Sequence, residues 1–177
     1  MAKELLTLNP QDIIRLNKAV PRYTSYPTAP NFTPISSKLY INYLQQLTGP
    51  LSIYIHIPFC RKMCLFCGCS VVINRSEERQ ARYVEQLLQE IELVASKIGK
   101  KLTISQLHFG GGTPTNLTEK EFQAIFATLT MYFSIEKNAE IAIEIDPRTV
   151  DEKCSLHFLR TLFNRVSFGV QDMSAKV

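Results

Sequence analysis

Residues 51–57 read LSIYIHI, a run in which Ile53, Ile55 and Ile57 alternate with Tyr54 and His56. Side chains two apart on an extended chain share a face. The run therefore predicts a strand with an isoleucine face and a second face carrying a phenol and an imidazole. Three later stretches repeat the pattern. ISQLHF (104–109) separates Leu107 and Phe109 from Gln106 and His108. EIAIEID (140–146) separates Ile141, Ile143 and Ile145 from Glu144 and Asp146, and RVSFGVQD (165–172) separates Val166, Phe168 and Val170 from Ser167 and Gln171. Each predicted strand has an apolar face for helices and a face that turns polar toward its C-terminal end. A doubly wound open sheet, covered on both sides, would show near-continuous apolar strands. A curled barrel with a polar site at its mouth fits the alternation better.

Helical patterns fill the gaps between these strands. After Ser76, the residues Val84, Leu87, Leu88, Ile91, Val94, Ala95 and Ile98 recur at helical spacing. Thr118 and Glu121 form a capping box ahead of Phe122, Ile125, Phe126, Leu129 and Phe133. Thr149 and Glu152 offer a second box before Cys154, Phe158, Leu159 and Leu162, which places Cys154 on the apolar face of that helix. The order β-α-β-α-β-α-β predicts parallel strands joined by right-handed crossovers. Four strands do not close a barrel, and the sequence ends five residues past the last one, so the front part of a larger protein is expected. Upstream, residues 1–49 are turn-rich. VPRYTSYPTAP (20–30) carries three prolines, which exclude a regular helix. A short helix over about 36–47 ends at Gly49-Pro50. The expected organisation is an extension, 1–49, and a core, 50–177.

The 177 residues are 45% hydrophobic with a net charge of +4, a composition of globular type. No apolar run approaches the roughly 18 residues of a membrane span, and the N-terminus lacks the apolar core of a signal peptide. Lysine and arginine are scattered among acids with no basic stripe, which argues against nucleic acid. Five cysteines without an export signal point to the cytoplasm and to metal or redox chemistry rather than disulfides.

Four of those cysteines lie within CRKMCLFCGC (60–69), spaced C-x3-C-x2-C-x-C. A structural zinc site would use two separated pairs, and Cys67 and Cys69 are too close to share one ion with both others. A ferredoxin-type run would be C-x2-C-x2-C with a distant fourth cysteine before proline. A third reading places Cys60, Cys64 and Cys67 on three irons of a [4Fe–4S] cubane and leaves the fourth iron open. Reduced cysteines packed for burial are the plain alternative, and for Cys154 that is the better reading. GGGTPT (110–115) is neither GxGxxG nor a P-loop. It allows close backbone approach to a ligand or simply a tight turn. Beside the cysteine triplet it suits a wall holding the amino-acid end of S-adenosylmethionine.

YIHIPFCRKMCLFCGC, HFGGGTPT, IEIDPR and SFGVQD, in this order, resemble the radical S-adenosylmethionine enzymes of haem biosynthesis. With VPRYTSYPTAPNF upstream, the chain is similar from about residue 20 onward to the oxygen-independent coproporphyrinogen III oxidase (dehydrogenase) subgroup. The resemblance implies an α/β fold: the N-terminal part of a partial, TIM-like (βα)6 barrel with its first four parallel strands present. It implies Cys60, Cys64 and Cys67 as cluster ligands, with Cys69 in the motif but not on iron. It implies Tyr54, Gly111 and Glu144 at the S-adenosylmethionine on the open iron, Tyr54 and Glu144 being the catalytic candidates. Phe66, Gly112, Thr113 and Gln171 match positions touching a second S-adenosylmethionine. The implied reaction, in a cytoplasmic monomer, turns two propionates of coproporphyrinogen III into vinyls, giving protoporphyrinogen IX. A 5′-deoxyadenosyl radical starts each round, and an unidentified donor supplies electrons. Arg22 and Arg148 are candidates for the substrate carboxylates, although a solvated arginine is the plainer reading of Arg148. For Glu144 the plainer reading is an ion pair with Arg148. For His56 and His108 it is a satisfied histidine inside the barrel. Two other readings compete: a haem-trafficking chaperone, whose relatives carry an aromatic in place of Cys69 and lack PRYTSYPT, and an inactive truncated product.

Overall fold

The computed structural model describes residues 9–17, 27–65, 67–150, 155–170 and 172–174. They fall in two compact units, Met1–Ser36 and Ser37–Val177. In the first, helix α1 (Pro10–Leu16) starts at Asn9, whose side chain accepts from the Asp12 amide, and Pro10 occupies the first turn, where no amide is needed. A 3-10 turn, Ala29–Asn31, is tied by Asn31 Nδ2 donating to Thr28 Oγ1 at 2.9 Å. Most of the proline-rich segment, with Arg22, lies outside the described residues.

The second unit runs α2 (Ser37–Gln46), β1 (Leu51–Ile57), β2 (Phe59–Cys60), β3 (Val72–Ile73), α3 (Glu77–Ile98), β4 (Thr103–Gly111), α4 (Glu119–Tyr132), β5 (Ser134–Glu144), α5 (Leu156–Leu162) and β6 (Arg165–Ser167). Four strands form one parallel sheet in the order β1-β4-β5-β6. Register sets Ile55 beside Phe109, Phe109 beside Ile143 and Ile143 beside Val166, so the apolar positions of adjacent strands share a face. The same register puts Tyr54 beside His108 and His56 beside Gly110, on the other face.

Helices cover the apolar face. Val84, Leu87, Ile91, Ala95 and Ile98 of α3 and Phe122, Ile125 and Leu129 of α4 are buried with Ile55, Ile57, Leu107, Phe109 and Ile143. Phe109, Phe122, Phe126 and Phe163 pack as offset and edge-to-face rings with centroids 5.4–5.7 Å apart. Leu44 of α2 joins this core. The capping box of α4 is present in both directions: the Thr118 side chain takes the Glu121 amide and Glu121 takes the Thr118 amide.

Two expectations are corrected. The fourth strand spans three residues rather than eight. It pairs with β5 alone among the described strands, and the last rung is the Ile145 amide on the Ser167 carbonyl at 2.8 Å. Past that rung β5 has ended, so Phe168 and Val170 have no ladder to join. Helix α5 begins at Leu156 with Ser155 as its cap, not at Thr149. Thr149 instead closes a 3-10 turn, Pro147–Thr149, and donates its hydroxyl to the Asp146 carbonyl. Glu152 and Cys154 lie outside the described residues. No helix among those described is long and apolar enough to cross a membrane.

Candidate active site

The cysteine loop leaves the sheet at the C-terminal end of β1. After Pro58 the chain forms β2, which pairs in parallel with β3, and this short ladder closes residues 61–71 into a loop. Its ends are pinned by the Val72 amide on the Pro58 carbonyl (2.7 Å) and the Asn74 amide on the Cys60 carbonyl (2.9 Å). Within the loop the Cys67 amide donates to the Cys64 carbonyl at 3.1 Å. Cys60 is buried, Cys67 half-buried, and Cys64 and Cys69 exposed; all four are free thiols.

The glycine run is sewn onto that segment. Gly112 donates to Ile57 O at 2.8 Å, Thr113 to Phe59 O at 2.9 Å, and Asn116 Nδ2 to the same carbonyl at 3.0 Å. Gly111 adopts φ +116°, a backbone state that side chains disfavour. A Cβ on Gly112 would lie 2.8 Å from the Pro58 carbonyl carbon. One on Gly110 would lie 2.9 Å from the Tyr54 ring and 3.0 Å from Glu144 Oε1. The glycines are thus needed for approach by the chain's own groups, beyond whatever ligand the wall receives.

Tyr54, His56, His108 and Glu144 form one connected group over this wall. The Tyr54 hydroxyl lies 3.0 Å from His56 Nδ1, and its ring stacks on His108 at 5.7 Å. His108 Nε2 is 3.3 Å from Glu144 Oε1, while Glu144 Oε2 accepts the Gly111 amide at 3.2 Å. Burial, then the Glu144 and Cys69 charges, push the Tyr54 phenol up. His56 Nε2 reaches the Ser70 carbonyl at 3.3 Å, tying the strand to the cysteine loop. Sequence patterns give no sign of Ser70, because its part is played by a backbone carbonyl. The structure therefore brings together Tyr54, Gly111 and Glu144, and both histidines have partners. Phe66 and Gln171 lie outside the described residues.

Two of the candidate thiolates, Cys60 and Cys64, meet a hydrogen-bonding side chain. Cys60 Sγ is 3.3 Å from Thr113 Oγ1 in a buried contact. Burial pushes the Cys60 thiol up, and the Thr113 hydrogen bond pulls the other way. The Cys69 thiol is pushed up first by burial and then by its neighbour Cys67. Arg148 Nη2 donates to Cys64 Sγ at 3.4 Å. Arg148 is thus neither a free solvated arginine nor paired with Glu144. Its ion-pair partner is Asp146, at 2.7 Å and 2.9 Å.

Among the described residues no three His, Cys, Asp or Glu side chains converge on a single ion. The thiolates of a cubane lie on three different irons and need not converge as ligands of one ion do. Soft thiolate donors on one short loop, with hydrogen-bond partners around them, suit an iron–sulfur cluster by their chemistry. A cavity of about 390 Å³ opens where α3 starts, walled by Arg61, Arg75, Gln80 and Asn116; Tyr54, Glu144 and the cysteines take no part in it.

Residues 54–177, which include the cysteine loop, the glycine wall and Glu144, match the Radical SAM superfamily. The chain is 40% identical over 167 residues to the oxygen-independent coproporphyrinogen III oxidase of Synechocystis, covering 92% of this chain and 36% of that protein. It is 43% identical over 155 residues to the protein of that name from Bradyrhizobium diazoefficiens, covering 86% and 34%. The coproporphyrinogen III oxidase structure from Escherichia coli, described as a radical SAM enzyme, superposes with a TM-score of 0.79 at 37% identity. That superposition covers 94% of this chain and 37% of the other. The chain spans little more than a third of the length of the relatives it matches. The family match over most of the chain and the parallel α/β architecture agree: this chain belongs to the radical SAM superfamily, which carries a [4Fe–4S] cluster and S-adenosylmethionine.

Proposed function

We propose that this chain supplies the cofactor-binding part of an oxygen-independent coproporphyrinogen III oxidase, which converts two propionates of coproporphyrinogen III to the vinyls of protoporphyrinogen IX. The observation carrying this reading is the placement of the cysteine loop beside Gly111 and Glu144, at the C-terminal ends of parallel strands, where barrel folds of this kind keep their chemistry. When bound, the cluster and S-adenosylmethionine would supply a carbon-centred radical for taking hydrogen from the propionate β-carbon, the carboxylate leaving as CO2 and the surplus electron passing to an external acceptor.

The chain's own residues bind and orient. Cys60, Cys64 and Cys67 hold the cluster, with Cys60 fixed by burial and the other two presented on the loop. Gly111 and Glu144 form the wall for the first S-adenosylmethionine. Glu144 Oε2 already holds the Gly111 amide, which fixes the carboxylate for an amino or hydroxyl group of that ligand. Tyr54, braced by His56 and stacked on His108, closes the same side. Phe66, Gly112, Thr113 and Gln171 belong to a second S-adenosylmethionine. An electron donor completes the system.

Anaerobic reconstitution with iron and sulfide, then EPR of the dithionite-reduced chain with and without S-adenosylmethionine, tests the reading. A [4Fe–4S]+ signal that changes when the cofactor is added supports it. A cluster signal indifferent to the cofactor, or a folded chain that takes up no cluster, contradicts it.

A further inference from the structure

We propose that Arg148 is a positioning residue for the cysteine loop: its guanidinium, clamped by Asp146, donates to the Cys64 sulfur and favours the reduced state of a cluster held there. The inference rests on the cluster reading above and goes beyond the ligand set. Arg148 lies in the 3-10 turn after β5, and Cys64 comes 84 residues earlier, so the contact crosses the site. Asp146 fixes the guanidinium from one carboxylate, taking Nε at 2.9 Å, Nη2 at 2.7 Å and the Arg148 backbone amide at 3.0 Å. Such bidentate pairing sets orientation as well as charge. With Nη2 3.4 Å from Cys64 Sγ, the fixed cation faces the exposed sulfur of the loop.

An ion pair within one turn, with the arginine side chain 66% exposed, adds little to stability. Its distinctive product is a guanidinium N–H held in one orientation against the sulfur. Thr113 brings Cys60 a neutral hydroxyl, and a cysteine side chain carries no positive charge in either protonation state, whereas Arg148 brings Cys64 a cation. A metal-bound thiolate stays electron-rich, and reduction adds a further negative charge. Hydrogen bonds to the sulfurs and nearby charge are the levers that set cluster potentials. A donating guanidinium therefore makes reduction easier.

The test is an EPR-monitored redox titration of the reconstituted chain, comparing wild type with Arg148→Met and Arg148→Lys. With iron and sulfide content unchanged, Arg148→Met is expected to lower the potential so that the ratio of reduced to oxidised cluster at a fixed potential falls about tenfold, or about 59 mV for one electron. Arg148→Lys should recover most of it. An unchanged potential at full cluster content overturns the proposal. Should Arg148→Met take up no cluster, the apo chains decide: a wild-type melting curve supports a positioning role, whereas a lowered melt shared by Arg148→Lys marks a general structural role and overturns it. Wild type without a cluster would defeat the cluster reading itself, and this inference with it.

Discussion

At Gly112 the amide holds Ile57 O at 2.8 Å while the α-carbon faces the Pro58 carbonyl, so any Cβ would meet backbone, which cannot swing aside. Gly112→Ala is expected to cost about 1–3 kcal/mol in urea denaturation. Gly68→Ala, with nothing within 4 Å of the new methyl, should stay within about 0.5 kcal/mol of wild type. Equal effects at both positions would refute the crowding argument. The run GGGTPT announces close approach in the sequence, yet only the folded backbone reveals that Tyr54, His56 and Pro58 are what approaches. Asp146 offers a second check. Hydrogen bonding to Arg148 holds its carboxyl below the usual aspartate range. The pair therefore adds stability above the unfolded value of about 3.9, and that stability is lost as pH falls through the lowered folded value. Apo wild type should exceed Asp146→Asn in urea midpoint at pH 7, by less than about 1 kcal/mol for so exposed a pair, and the gap should close as pH falls below 4. A gap independent of pH would rule this out.

Among the elements, α4 is the most fully determined by its own residues. Thr118 and Glu121 cap it reciprocally, and Glu121 Oε2 also accepts from Gln80 Nε2 of α3 at 2.8 Å, so the cap doubles as a join between helices. Thr118→Ala should lower stability by about 1 kcal/mol and leave near-UV ring signals intact; a loss of those signals would mean the cap also organises the phenylalanine cluster. The capping box was legible because its partners are three residues apart. The start of α5 was not legible, because Thr149 had a competing use: its hydroxyl bonds the Asp146 carbonyl and the Thr115 hydroxyl, closing the turn that carries Arg148. The extent of β6 also escaped the pattern. Val166, Phe168 and Val170 alternate as a strand should, but a strand lasts only as long as its neighbour's ladder, and β5 ends at Glu144.

For the second unit as a whole, the sheet has one face sealed by α3 and α4 and one polar face bearing Tyr54, His108 and Glu144. Its β6 edge pairs with no further described strand, and Val166, Phe168 and Val170 are each more than half exposed. An open edge flanked by apolar side chains invites pairing between copies. Val166→Lys should therefore reduce concentration-dependent light scattering of the isolated chain without changing its circular dichroism. Unchanged scattering would show that association, if any, proceeds elsewhere.

What the sequence determined by itself was local. Alternation in the strands, helical spacing in α3 and α4, the capping box and the cysteine spacing all involve residues a few positions apart, where backbone geometry leaves few options. The parallel α/β layout follows from their order. The tertiary structure decided what meets across the site: Cys60 with Thr113, Cys64 with Arg148, and His108 with Glu144, pairs 53, 84 and 36 residues apart. Such pairs depend on strand register and on where each loop leaves the sheet, which local periodicity does not encode. For that reason Arg148 reads in the sequence as a solvated cation, whereas in the fold it is a clamped donor to the exposed cysteine.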